Sequence, residues 1–292
     1  MEMKTTDNNL GFRILKNRLL YITVCVLSAM TAIPLVAILG EVLIKGWDQL
    51  GWSFLTEATP NAYKAMEAMA SGESVPGGIA NGIIGTFLML ALAAVVAIPV
   101  GILCGICLSE YRHNWFAKTV SYLTDLLQGT PSIIIGIITY IWIVVPTKGY
   151  SAYAGSVALF IMMLPLIIRS TEETMKILPA TLKEAGLGLG GNYWRVMLKV
   201  MLPASFGSIF TGILLAISRV VGETAPLMFT TLGSAVISWN MSKPMSAVPL
   251  LIWEFFNDPN LQSLIWGASL FLLTFVLCLN LIAKRIAKKW KI

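Results

Sequence analysis

The chain has 292 residues, 57% of them hydrophobic and only 12% charged, about half the charged share of an ordinary soluble domain. That composition excludes a water-soluble fold and predicts an all-α integral membrane bundle. The net charge of +6 then reflects topology, not a nucleic-acid surface.

Six apolar runs approach the ~20 residues needed to cross about 30 Å of hydrocarbon: 20–43, 79–108, 132–145, 152–168, 205–231 and 263–283. Orientation follows from the basic residues. The tail 1–19, the loops after the second and fourth spans and the tail 284–292 hold Lys4, Arg13, Lys16, Arg18, Arg112, Lys118, Arg169, Lys176, Lys183, Arg195, Lys199, Lys284, Arg285, Lys288, Lys289 and Lys291. The opposite side holds only Lys45, Lys64, Lys148 and Lys243. Basic residues stay inside, so both termini are expected in the cytoplasm, with 20–283 as the membrane domain.

Taken in order, the first span has an apolar core too long for a signal peptide and reads as an uncleaved anchor. The extracytoplasmic segment 45–76 carries Trp47, Trp52 and Phe54, aromatics of the kind that sit at a membrane boundary; its part from Asn61 to Ser74 is polar. In the second span Gly101 and Gly105 are spaced for close helix packing. Cys104 and Cys107 form a C-x-x-C, but they lie in apolar sequence, as do Cys25 and Cys278, and the single histidine, His113, is in a loop; no metal site is expected. Before the third span stands Gly129-Thr130-Pro131-Ser132, with Thr130 placed to cap a helix opened by proline.

Loop 169–203 is the longest cytoplasmic segment. It alternates charges with Met175, Leu178, Leu182, Leu187, Val196 and Met197, a spacing that predicts short helices at the membrane surface with an apolar face to bury against another subunit.

Beyond it, Arg219 and Glu223 are the only charges in a run otherwise apolar from Val200 to Leu232. An arginine at membrane depth costs roughly 2.5 kcal/mol or more, so it is expected to face a bundle interior or a water-filled path. Four residues apart on a helix, the two side chains would meet. Pro226 removes the donor for the Gly222 carbonyl and predicts a kink or break. A purely structural ion pair is the competing reading.

Within loop 169–203, Glu184-Ala185-Gly186 is followed by Gly190 and by Val200-Met201-Leu202-Pro203. This resembles the E-A-A-x3-G-x9-I-x-L-P loop of the membrane subunits of bacterial ABC importers, with Gly186 replacing alanine and Val200 replacing isoleucine. Glycine costs about 1 kcal/mol of helix propensity relative to alanine, so a looser first coupling helix is expected. The stretch has neither the preceding strand nor the Gly-Lys-Ser/Thr of a nucleotide loop. Gly222-Glu223-Thr224-Ala225-Pro226-Leu227, Glu110-Tyr111 and Gly129-Thr130-Pro131-Ser132-Ile133 narrow the resemblance to the PstA-type permease family of phosphate-specific ABC importers.

The resemblance implies a six-span, non-enzymatic subunit without a cofactor of its own, in the bacterial inner membrane. Its implied partners are a PstC-like permease subunit, a dimeric PstB-like ATPase that binds the ATP, and a PstS-like extracytoplasmic phosphate-binding protein. It assigns Glu184, Ala185, Gly186, Gly190, Leu202 and Pro203 to ATPase coupling. The residue chemistry is compatible: the planar guanidinium of Arg219 matches a phosphate oxyanion, with Glu223 and Thr224 beside it on the path. Glu223 would either neutralise Arg219 in the empty path or accept the proton that phosphate carries and sulfate lacks. A permease for sulfate or molybdate, and a self-sufficient anion channel, are the alternatives.

Overall fold

The computed structural model describes residues 10–71 and 75–289; Lys4, Ser74 and Lys291 lie outside the described residues. In chain order the helices are α1 (Leu10–Trp47), α2 (Trp52–Thr56), α3 (Ala62–Ser71), α4 (Ala80–Glu110), α5 (Trp115–Gly129), α6 (Ser132–Thr139), α7 (Val145–Thr147), α8 (Ala152–Ile177), α9 (Ala180–Gly188), α10 (Tyr193–Val196), α11 (Leu202–Val221), α12 (Ala225–Thr230), α13 (Val248–Asn257) and α14 (Leu264–Lys289). No strand occurs among the described residues. Five helices are long and apolar enough to cross a membrane, and α5 with α6–α7 forms a sixth candidate bent by 104°.

The bend separates two kinds of helix. If α6 crosses the bilayer, α5 lies nearly parallel to its surface, where exposed Trp115, Phe116, Leu123 and Leu126 meet lipid. Asn114 caps α5 by accepting from the Phe116 N–H at 3.2 Å. Thr130 does not cap α6 as expected: its hydroxyl donates back to the Leu126 carbonyl at 2.7 Å, and Pro131 occupies the cap position without a side-chain bond. An α5 that continues to Gly129 puts that carbonyl within reach of the hydroxyl, one turn back.

Two π-helical turns, Tyr140–Val144 and Met197–Met201, keep neighbouring helices continuous. Each is followed by one residue and then a proline, Pro146 or Pro203. A proline within a helix cannot donate to the carbonyl four residues back, and the wider turn lets Val145 and Leu202 donate five residues back instead, to Tyr140 and Met197. Helix Tyr193–Val221 is therefore one rod. The fifth span begins well before the expected residue 205, and the fourth runs to Ile177 instead of 168.

Packing rests on close approaches at small residues. A Cβ on Gly101 would fall 2.6 Å from Ile167 Cγ2, and one on Gly105 2.6 Å from Thr171 Cβ, so the paired glycines seat α4 against α8. Gly212 does the same for α11, with a Cβ there 2.4 Å from Ser170 Cβ. The main core between these helices includes Met89, Met163, Ile167, Met197, Val220 and Leu227. A second core of Phe54, Ile79, Leu251 and Phe255 closes the end that holds α13. There Val248 N–H donates to Thr86 Oγ1 at 2.9 Å and Asn81 Nδ2 donates to the Ser234 carbonyl at 2.8 Å. Helix α13 falls outside the expected spans, since ten residues, eight of them apolar, are too few to cross a membrane.

Candidate functional site

Arg219 occupies the last turn of α11, which ends at Val221. Gly222, Glu223 and Thr224 form a break before α12. The break precedes Pro226, which sits in the first turn of α12, where its missing N–H costs nothing. Pro226 is buried, and a Cβ on Gly136 of α6 would come within 2.7 Å of its Cα. The Thr224 carbonyl accepts from the Leu227 and Met228 N–H groups, both at 3.1 Å.

The expected Arg219–Glu223 pair is not formed: no ion pair or side-chain hydrogen bond joins these residues. An i,i+4 contact requires an unbroken helix, and Glu223 lies past its end, its N–H donating to the Val220 carbonyl at 3.1 Å. Arg219 is exposed at a cleft walled by Met162, Pro165 and Leu166 in the middle of α8 and by Gln128 and Thr130.

Leu166 and Gln128 also border a larger cleft of about 580 Å³, lined by Asp125, Arg169, Ser170, Glu173 and Gly212. Here the charges are paired. Arg169 places Nη1 2.6 Å from Glu172 Oε2, Nε 2.8 Å from Asp125 Oδ1 and Nη2 2.8 Å from the Ser121 carbonyl. Lys176 Nζ reaches Glu172 Oε1 at 2.6 Å, and the Glu172 side chain is only 4% exposed. These residues belong to α8 and not to the expected loop 169–203. Their spacing, Arg169, Glu172 and Lys176 at i, i+3 and i+7, is the signal that α8 continues through them.

The second group of candidates forms a corner. On α9, Glu184 and Ala185 are exposed and Leu182 packs toward the core. Gly190, at φ 81°, turns the chain toward α10. Gly186 does not loosen α9 as expected. A Cβ there would lie 2.8 Å from Val196 Cγ1, so the glycine lets α9 press onto α10. Ile177 and Leu189, 82% and 90% exposed, flank the outer face. Leu202 is half-buried and Pro203 exposed, both inside the rod that leaves this corner. The two candidate groups are thus apart, one at mid-depth of the bundle and one at its α9 end.

A helical bundle with five or six candidate spans, a cleft between its helices and an exposed helical corner at one end defines an integral membrane protein. The family model described as "Binding-protein-dependent transport system inner membrane component" matches residues 97–292, and the chain belongs to that family. It is 35% identical over 292 residues to the phosphate transport system permease protein PstA of Yersinia pestis, covering 99% of this chain and 96% of that one. It is 38% identical over 220 residues to the same-named protein of Xylella fastidiosa, covering 74% and 77%. In fold it is similar to a chain of a bacterial alginate ABC transporter, with TM-score 0.65, 11% identity and coverage of 97% and 98%.

Proposed function

We propose that this chain is a permease subunit of an ATP-driven importer of inorganic phosphate and forms half of the translocation path. The observation that carries the reading is Arg219: a guanidinium at mid-depth, exposed to a cleft and without an anionic partner among the described residues, beside the G-E-T-A-P-L segment. Its planar donors suit an oxyanion, and as a single contact it binds weakly enough to release what it holds. Glu223 and Thr224 flank the same path. Glu223 makes no ion pair among the described residues, and its proposed role is to read the phosphate proton.

The α9 corner supplies the docking face for the ATPase. Glu184, Ala185, Gly186 and Gly190 shape it, and Leu202 and Pro203 begin the rod that carries its motion inward. A PstC-like permease subunit completes the path, a PstB-like ATPase dimer binds ATP on the cytoplasmic side, and a PstS-like protein delivers phosphate at the α13 end. Both termini are cytoplasmic, residues 20–283 form the membrane domain, and the segments 1–19 and 284–292 are its basic flanks.

The test is reconstitution of the four components in liposomes. ATP and loaded binding protein should drive phosphate uptake, and liposomes holding this chain alone should show none. Phosphate flux through this chain alone would establish a channel instead, and uptake of sulfate or molybdate with exclusion of phosphate would move the assignment to another oxyanion.

A further inference from the structure

One carboxylate at the α9 end joins three helices. Glu110 closes α4, and its Oε2 pairs with Lys183 Nζ on α9. The Tyr193 side chain at the start of α10 neighbours the same carboxyl group. The Lys183 ammonium lies 5.1 Å from the centre of the Tyr193 ring, closing the triangle through a cation–π contact. The Lys183 and Glu110 side chains are 28% and 18% exposed, so salt screens the pair only in part.

Consecutive residues of α9 face opposite ways. Glu184 is exposed on the outer face, and Lys183 turns inward to α4. Gly186 against Val196 fastens α9 to α10 by shape, and Lys183 with Glu110 fastens it to α4 by charge. Tyr193 begins the rod Tyr193–Val221. Arg219 stands near the far end of that rod, about 39 Å away at ~1.5 Å per residue. Displacement of α9 is therefore applied at once to the rod that carries Arg219 and to α4, which is seated on α8 through Gly101 and Gly105.

We propose that Glu110, Lys183 and Tyr193 form a strut that transmits movement of the α9 corner to the rod that carries Arg219 and to α4, which backs the α8 wall of the cleft, as positioning residues for transport. The inference rests on the reading of α9 as the face that receives the ATPase. Loss of the strut would leave the ATPase docked on the outer face of α9 but its stroke poorly transmitted.

The experiment uses the complete four-component transporter in proteoliposomes and reads phosphate moved per ATP hydrolysed, together with the amount of ATPase retained on the membrane subunits. Glu110→Gln and Lys183→Gln should each lower the transport-to-hydrolysis ratio about tenfold, the effect of losing ~1.4 kcal/mol, with the ATPase still bound. Tyr193→Phe should lower it less. The reciprocal exchange, Glu110→Lys with Lys183→Glu, restores the pair and should recover most of the ratio. An unchanged ratio in both single variants overturns the strut. So does failure of both to assemble with no recovery in the exchange, because the pair would then serve folding alone. The wild-type complex is measured first: absence of phosphate uptake there refutes the permease reading itself, whereas normal wild-type uptake with undiminished coupling in the variants refutes only the strut.

Discussion

Arg169 and Arg219 lie on neighbouring helices, α8 and α11, at clefts that share Leu166 and Gln128 as walls. Arg169 is held by two carboxylates and a backbone carbonyl, and Arg219 by none among the described residues. The unbroken course of α8 accounts for the difference, since it carries Glu172 back toward Arg169 after one turn, whereas α11 ends two residues before Glu223. A helix break thus does more than bend a span here. It removes an ion pair that the spacing would otherwise enforce and leaves Arg219 without a carboxylate partner among the described residues.

The sharpest way to break the comparison is to unpair Arg169. Glu172 is almost fully buried between Arg169 and Lys176, and removing one member of a buried pair costs roughly 3–5 kcal/mol. Glu172→Gln should therefore lower the thermal stability of the purified protein and its level in the membrane. Asp125→Asn, at a side chain 58% exposed, should cost no more than about 1 kcal/mol. Equal and small losses in both would mean that the cluster holds nothing together.

Arg219 should respond in the opposite sense. With no partner to orphan, Arg219→Gln should leave stability unchanged and reduce phosphate uptake, by roughly ten- to a hundredfold if a charge-assisted hydrogen bond of ~1.5–3 kcal/mol is lost. Arg219→Lys keeps the charge without the planar fork and should fall between the two. Undiminished uptake in a well-expressed Arg219→Gln variant would remove the residue from the path.

The corner offers a smaller contrast. Gly186→Ala places a methyl 2.8 Å from Val196, whereas Gly188 has open space around it. Overpacking costs about 1–3 kcal/mol, so Gly186→Ala should weaken ATPase retention or coupling. Gly188→Ala should be neutral or slightly stabilising through helix propensity. The reverse order, with Gly186→Ala improving the corner, would restore the expectation that glycine there only loosens the helix.

These contrasts also show what could be read before the structure. Bundle class and the approximate course of the second and sixth spans follow from apolar run length, which needs no tertiary information. The corner could be placed because Glu184, Gly190 and Pro203 stand at fixed spacing. The absence of an Arg219–Glu223 contact was not legible, since i,i+4 geometry presumes a helix, and where α11 stops depends on how Pro226 packs against Gly136. Gly186 misled for the same reason. Propensity assigns it a cost within an isolated helix, and only the approach of Val196 turns that cost into a requirement.

One more carboxyl group extends the comparison, because it lines neither cleft and has no ion-pair partner among the described residues. Glu254 lies on α13, which is too short to cross the membrane, and it presses on the loop at Gly233, where a Cβ would stand 2.1 Å from its Oε1. Burial alone pushes its pKa up from 4.5 to about 7. Between those values the unfolded chain has released a proton that the folded chain still holds, so this group lowers stability as pH rises through the window. That is opposite to a paired carboxylate, whose contribution grows with pH. The purified protein should melt at a lower temperature near pH 8 than near pH 5 by an amount that Glu254→Gln removes, the substituted amide being neutral throughout. Retention of the same pH dependence in Glu254→Gln would assign it to other groups, and would mean that the Glu254 carboxylate is accommodated at Gly233 without a partner.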